Sequence, residues 1–210
     1  MAAKLHGAII TTYRCNARCN MCNVWAHPTK ASEEIGPEVM ERLPRMFFAN
    51  ITGGEPFVRE DLPEIVGVLR GKAKRLVVIT NGYFTDRVVS LCRRFPDIGV
   101  RISIEGLPKA NDAIRGIPDG FDRGLRTLLE LRAMGLKDIG FSTTVQDLNC
   151  ADVVPLYRLA GALGYEFATA AVHNSHYFHK WDNKIGDKEK VCGELERLVG
   201  ELLRSDRAKD

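Results

Sequence analysis

Apolar and polar positions along this 210-residue chain follow two alternating rhythms. Short β-branched runs at Ala8–Tyr13, Phe47–Thr52, Arg75–Thr80, Gly99–Glu105, Ile139–Val145 and Glu166–Val172 read as strands. Apolar residues at helical spacing predict helices over Pro37–Leu43, Leu62–Arg70, Thr85–Phe95, Phe121–Met134, Ala151–Leu163 and Lys188–Leu203. Local signals agree with these bounds. Pro37 suits a first helical turn, Thr85 or Asp86 an N-cap, and Gly135 and Gly164 helix ends. In the last helix Val191, Leu195, Leu198, Val199 and Leu202 share one face. The charged closing segment, Arg204–Asp210, is predicted to fray.

Six βα units in series predict an α/β fold with a parallel six-stranded sheet and right-handed crossovers. Periodicity leaves two layouts open, a partial (βα)6 barrel or a doubly wound sheet. Two strands carry more information than the rest. A buried parallel strand is ordinarily apolar on both faces. In Gly99–Glu105, however, a period of two puts Arg101, Ser103 and Glu105 on one face and the isoleucines on the other. Ser142, Thr144 and Gln146 repeat the trait. Such polar faces suit an interior that holds water or a ligand.

Composition narrows the class. With 45% hydrophobic residues the chain can bury a core, and its length suits one domain. The net charge of +3, with both signs interspersed, offers no electrostatic argument for nucleic acid or membrane. Apolar runs such as Leu76–Ile79 are too short to span a bilayer, and the first residues lack a signal peptide's apolar stretch. A cytoplasmic, reducing setting is therefore expected. Cys92, Cys150 and Cys192, far apart in the chain, read as buried or partly buried free thiols.

The other three cysteines stand in one loop, Cys15-Asn16-Ala17-Arg18-Cys19-Asn20-Met21-Cys22, directly after the first strand. Thiolates so close can converge on one soft metal centre, an iron–sulfur cluster above all. Three ligands on a [4Fe–4S] cube leave one iron open to an outside molecule. The Cys-x3-Cys-x2-Cys spacing resembles the signature of the radical S-adenosylmethionine (SAM) superfamily. Ile51-Thr52-Gly53-Gly54-Glu55-Pro56, directly after the second strand, looks like that family's SAM-methionine motif. Two glycines let backbone approach a ligand, Glu55 can accept from an ammonium group, and Pro56 holds Glu55 extended.

The resemblance implies a partial (βα)6 barrel, a [4Fe–4S] cluster on Cys15, Cys19 and Cys22, and SAM chelated at the open iron. One-electron cleavage of SAM would then yield a 5′-deoxyadenosyl radical that abstracts hydrogen. The resemblance further implies that Gly53, Gly54, Glu55 and Pro56 bind methionine and that Ser103 and Glu105 serve the ribose. Here Glu105 stands where relatives have Asp, Asn111 where they have His, and Met21 where an aromatic is usual. Asn81, in Thr80-Asn81-Gly82, is a ligand candidate or simply a good turn residue. Arg115 is a candidate for a carboxylate of SAM or substrate, or a surface ion pair. The loop His173–Trp181, with three histidines among aromatics, reads as a substrate or second-metal patch, or as a solvated segment.

Two rivals come from other classes. A non-catalytic iron–sulfur electron carrier would need a fourth cysteine, Cys92 being next, and leaves Gly53–Pro56 without a purpose. A structural zinc module would close a Cys3His site with His27. Under the enzyme reading the partners are a small-molecule or peptide substrate and an external electron donor such as flavodoxin or ferredoxin. The substrate is a peptide, lipid or cofactor precursor. Residues 1–210 read as one radical SAM core domain, either complete or the N-terminal part of a longer chain.

Overall fold

The computed structural model describes residues 4–206, so residues 1–3 and the closing residues 207–210 lie outside it. Six strands, β1 (His6–Ile10), β2 (Met46–Thr52), β3 (Ala73–Thr80), β4 (Gly99–Ser103), β5 (Ile139–Val145) and β6 (Glu166–Ala171), form one sheet. Their order is sequential, β1 to β6, and every neighbouring pair is parallel. A doubly wound sheet must reverse its order at a switch point, and this one never does. The layout is a half-barrel with β1 and β6 as edges.

Helices α1 (Pro37–Met40), α2 (Leu62–Arg70), α3 (Thr85–Arg94), α4 (Pro108–Arg115), α5 (Gly120–Ala133), α6 (Val153–Leu163) and α7 (Lys188–Leu203) complete the fold. The main core lies between the sheet's outer face and these helices, where Ile51, Val78, Val100, Ile102 and Phe141 are wholly buried. A smaller core joins α6 to α7 through Val153, Val154, Tyr157, Val191 and Leu198.

Several predicted bounds move. β1 lies upstream of the expected Ala8–Tyr13 because the chain leaves the sheet after the Thr11 N–H donates to Thr52 O (2.9 Å). The first helix stops at Met40, and β4 ends at Ser103, before Glu105. Phe84, not Thr85 or Asp86, occupies the α3 N-cap, and Thr85 instead pairs its hydroxyl with that of Thr127 (2.7 Å). The pattern missed α4 altogether, since its face is mostly polar and its buried residues are Asn111 and Ile114. Gly135 and Gly164 do end helices, with φ of 87° and 72°. Val199 is exposed, unlike the rest of its predicted face, and Cys192 is exposed while Cys92 and Cys150 are buried.

Arg101 is the exception on the polar face of β4. It does not line the cavity; with Arg75 it forms an ion cluster with Asp138 and Glu166. Arg101 Nη2 donates to Asp138 Oδ1 at 2.7 Å and also to Glu166. Burial alone would raise the Asp138 carboxyl, but hydrogen bonds and charge from Arg75 and Arg101 outweigh it and hold it at about 2. In an unfolded chain that carboxyl titrates near ~3.9. The stabilisation is therefore fully present above about pH 4 and lost as pH falls toward 2. Asp138→Asn should cost about 1–2 kcal/mol at pH 7 and about half of that at pH 3, read from urea midpoints. Equal costs at both pH values would refute the linkage.

Candidate active site

The cysteine loop leaves the C-terminal end of β1, the end of a parallel half-barrel where strand-to-helix loops gather. It is held from two sides. The Arg18 and Asn20 N–H groups donate to Arg115 O (3.0 Å) and Ile114 O (2.9 Å) at the end of α4. The close approach requires Gly116, in a left-handed conformation (φ 58°), where a Cβ would stand 2.4 Å from Arg18 O. On the other side Asn23 N donates to Phe178 O (2.8 Å), Asn23 Nδ2 to His179 O (3.0 Å), and Asn183 Nδ2 to Met21 O (2.9 Å).

So anchored, Cys15, Cys19 and Cys22 all line one cavity of about 360 Å³. Small-molecule sites range over ~300–1,000 Å³. Burial pushes the Cys15 thiol up to about 12 and raises Cys19 and Cys22 as well, while the nearby Arg115 charge opposes burial at all three. A coordinated metal ion strips such thiols of their protons outright.

Gly53 and Gly54 line the same cavity, and Glu55 and Pro56, both buried, do not. The Glu55 carboxylate instead accepts from Phe57 N (3.1 Å), Thr80 Oγ1 (2.7 Å) and Asn81 N (2.8 Å). Burial raises this carboxyl and the three donors oppose that rise. The expectation that its oxygens face an ammonium group is thus modified: three acceptor positions serve the protein, tying the end of β2 to the end of β3. Thr80 and Asn81 do reach the cavity. Asn81 also bridges to the cysteine loop, its Nδ2 donating to Asn16 Oδ1 (2.7 Å).

Ser103, Ser142 and Thr144 line the cavity from β4 and β5, and Ser103 pairs in register with Ser142. The Ser103 hydroxyl is not spent on the sheet. Glu105 and Arg115 also border the cavity, but they meet each other first, Arg115 Nη1 donating to Glu105 Oε1 at 2.9 Å. Arg115 is therefore not a surface pair: its side chain is 11% exposed and that of Glu105 2%. Glu105 also accepts from Thr144 N (2.5 Å), and Asn111 Oδ1 accepts from Glu105 N (2.9 Å). Burial raises the Glu105 carboxyl, and Arg115 opposes it. The guanidinium stays charged, held above its ordinary range.

Gln146 lies past the end of β5 and donates through Nε2 to Asn20 Oδ1 (3.2 Å) in the cysteine loop. The aromatic loop after β6 packs partly against the site. His173, Tyr177 and Phe178 line the cavity, and Tyr177 OH donates to Gly53 O (2.6 Å). His179 stacks on His27 with ring centroids 4.5 Å apart. His176 packs edge-on against Trp181.

Sequence reasoning missed two contributors. Asn50 lines the cavity from β2, and Glu34 bridges Arg14 (2.8 Å) and Arg59 (3.5 Å) behind the loop. The inward parity of Asn50 was the available signal for the first. Nothing local marked the second.

A half-barrel whose mouth gathers three thiols, a glycine pair and uncommitted polar groups over one cavity belongs to the class of α/β barrels suited to a thiolate-held cofactor. The residues fit a cluster on their own chemistry: three soft ligands from one loop around a shared space. A model of the Radical SAM superfamily matches residues 9–160, and the chain belongs to that superfamily.

Fe-coproporphyrin III synthase of Methanosarcina barkeri is 31% identical over 160 residues, covering 70% of this chain and 39% of that protein. Mycofactocin maturase MftC of Mycobacterium tuberculosis is 32% identical, covering 73% and 41%. The chain thus spans about two-fifths of the length of these curated relatives. Streptococcus suis SuiB bound to S-adenosylmethionine has the same fold, with a TM-score of 0.79 at 16% identity, over 97% of this chain and 48% of that one. The cofactors of this superfamily are a [4Fe–4S] cluster and SAM.

Proposed function

We propose that this chain is the catalytic core of a radical SAM enzyme acting on a peptide or a cofactor precursor. The observation that carries the reading is the shared cavity, where Cys15, Cys19, Cys22, Gly53, Gly54, Ser103 and Arg115 meet. The two relatives' names, a maturase and a porphyrin synthase, support the substrate class. When bound, the reduced cluster supplies one electron to SAM, whose carbon–sulfur bond breaks to release methionine and a hydrogen-abstracting 5′-deoxyadenosyl radical.

The protein's part is to bind, orient and shield. Cys15, Cys19 and Cys22 hold the cluster. Gly53 and Gly54 leave room for the methionine backbone, with Glu55 and Pro56 shaping that turn from behind. Asn81 braces the cysteine loop. The free Ser103 hydroxyl suits the ribose. Arg115, only one of whose N–H groups is engaged by Glu105, offers the rest to a carboxylate of SAM or substrate. Glu105 holds that guanidinium in place. Tyr177 and Phe178 cover one side and exclude water.

We further read residues 1–210 as a single core domain working in the cytoplasm, fed electrons by a flavodoxin or ferredoxin. Among the described residues no helix is long and apolar enough to cross a membrane. The test is anaerobic reconstitution followed by dithionite and SAM. Near four irons per chain, with 5′-deoxyadenosine and methionine formed, is the expected result. Tightly bound zinc, or a cluster that leaves SAM intact, would overturn the proposal.

A further inference from the structure

Trp25 stands three positions after Cys22 and borders the cavity that the cysteines share. Its one polar atom holds it there. The indole Nε1 donates to Cys22 O (2.9 Å), which ties the ring to the backbone of the cysteine loop. The Arg18 guanidinium lies over the ring, 5.6 Å from its centroid, and Arg18 does not border the cavity. A cation thus takes one face of the indole, and its only hydrogen-bonding group is spent. The ring is nevertheless 37% exposed. An aromatic plane with no polar demand, bordering a cavity, is the kind of surface on which a flat base stacks.

Its place in the cavity favours one end of SAM. The stretch before Trp25 is tied to the segments after β5 and β6. Asn20 Oδ1 accepts from Gln146 Nε2 (3.2 Å), Met21 O from Asn183 Nδ2 (2.9 Å), and Asn23 N donates to Phe178 O (2.8 Å). The glycine turn proposed for methionine follows β2, and Ser103, proposed for the ribose, ends β4. A ligand laid from β2 past β4 carries its third part, the adenine, toward β5 and β6. Met21 also borders the cavity there but has no flat face.

We propose that Trp25 stacks on the adenine of SAM and so sets the affinity for the nucleoside half of that molecule independently of the methionine half. The inference rests on the radical SAM reading above. Because Cys22 and Arg18 already hold the ring, little ordering of the indole is left to oppose binding.

The test is anaerobic equilibrium dialysis of SAM, and separately of methionine, against reconstituted protein with its cluster oxidised, so that SAM is not cleaved. Trp25→Ala should weaken SAM binding about tenfold, within the range base–aromatic stacking supplies, and leave methionine binding unchanged. Trp25→Phe keeps a ring but loses the bond to Cys22, and should stay within about threefold of wild type. Unchanged SAM affinity in Trp25→Ala, equal losses in both variants, or a parallel loss of methionine binding would overturn the inference. Fluorescence decides the matter even if Trp25→Ala loses its cluster. The chain has two tryptophans, and Trp181, packed edge-on against His176, does not border the cavity. In Trp181→Phe, Trp25 is the sole tryptophan, and SAM but not methionine should quench its emission. Emission indifferent to SAM would refute the stack. A wild type that takes up no iron, or binds neither ligand, would instead remove the radical SAM reading itself.

Discussion

Replacing Cys19 by serine is expected to leave the protein folded and unable to hold its cluster. Iron should fall from about four to below one per chain, and SAM cleavage to background. Cys19 is the most buried of the three thiols, at 9% exposure, and packs with Ala17 and Ile117. Serine fits the space. A hydroxyl is a hard, weakly acidic ligand, however, and iron–sulfur clusters are held by thiolates. The loop's backbone bonds to Ile114 and Arg115 do not depend on the side chain, so circular dichroism and the urea midpoint should hardly move. Cys192→Ser, at an exposed site on α7, is the control and should keep full iron. Normal iron and normal SAM turnover in Cys19→Ser would refute the ligand assignment.

The second large effect is expected from Gly54→Ala. Two bonds splice the turn after β2 to the segment after β1, Gly54 N donating to Thr12 O (2.7 Å) and Glu55 N to Arg14 O (2.9 Å). A Cβ on Gly54 would stand 2.2 Å from Arg14 O and 2.7 Å from its carbonyl carbon. Both are backbone atoms, and Arg14 is further pinned by Glu34 (2.8 Å). Relief must therefore pull the two segments apart. Overpacking costs ~1–3 kcal/mol and each lost bond ~0.5–1.5, so about 3–5 kcal/mol of stability is expected to go. Because Arg14 directly precedes Cys15, iron uptake should fall with it. Gly193→Ala, where a Cβ would meet nothing within 4 Å, should be neutral or stabilising. Denaturant unfolding of both variants checks the pair, and a Gly54→Ala protein as stable as wild type would show that the splice is soft.

Much of the fold was legible because periodicity and element order are local properties. Alternating strands and helices implied a parallel sheet, and the polar positions Ser103, Ser142 and Thr144 announced a polar interior. The cysteine loop and the glycine pair were legible for a similar reason: each is a short run whose spacing alone restricts what it can bind. Helix α4 was not, because a short helix with a polar buried residue, Asn111, carries little periodic signal.

By itself, then, the sequence determined the alternating elements and the loop of three thiols spaced to converge on a soft metal, while the sequential strand order that makes a half-barrel was decided by the tertiary structure. Which carboxylate does what was decided only in three dimensions. Glu55 and Glu105 both look like ligand acceptors along the chain, yet burial makes an unpartnered carboxylate costly, and each found its donors inside the protein. The same holds for Tyr177 over Gly53, 124 positions apart, and for Asn81 beside Asn16, 65 apart. Such meetings depend on sheet register and crossover geometry, which no local run of residues encodes.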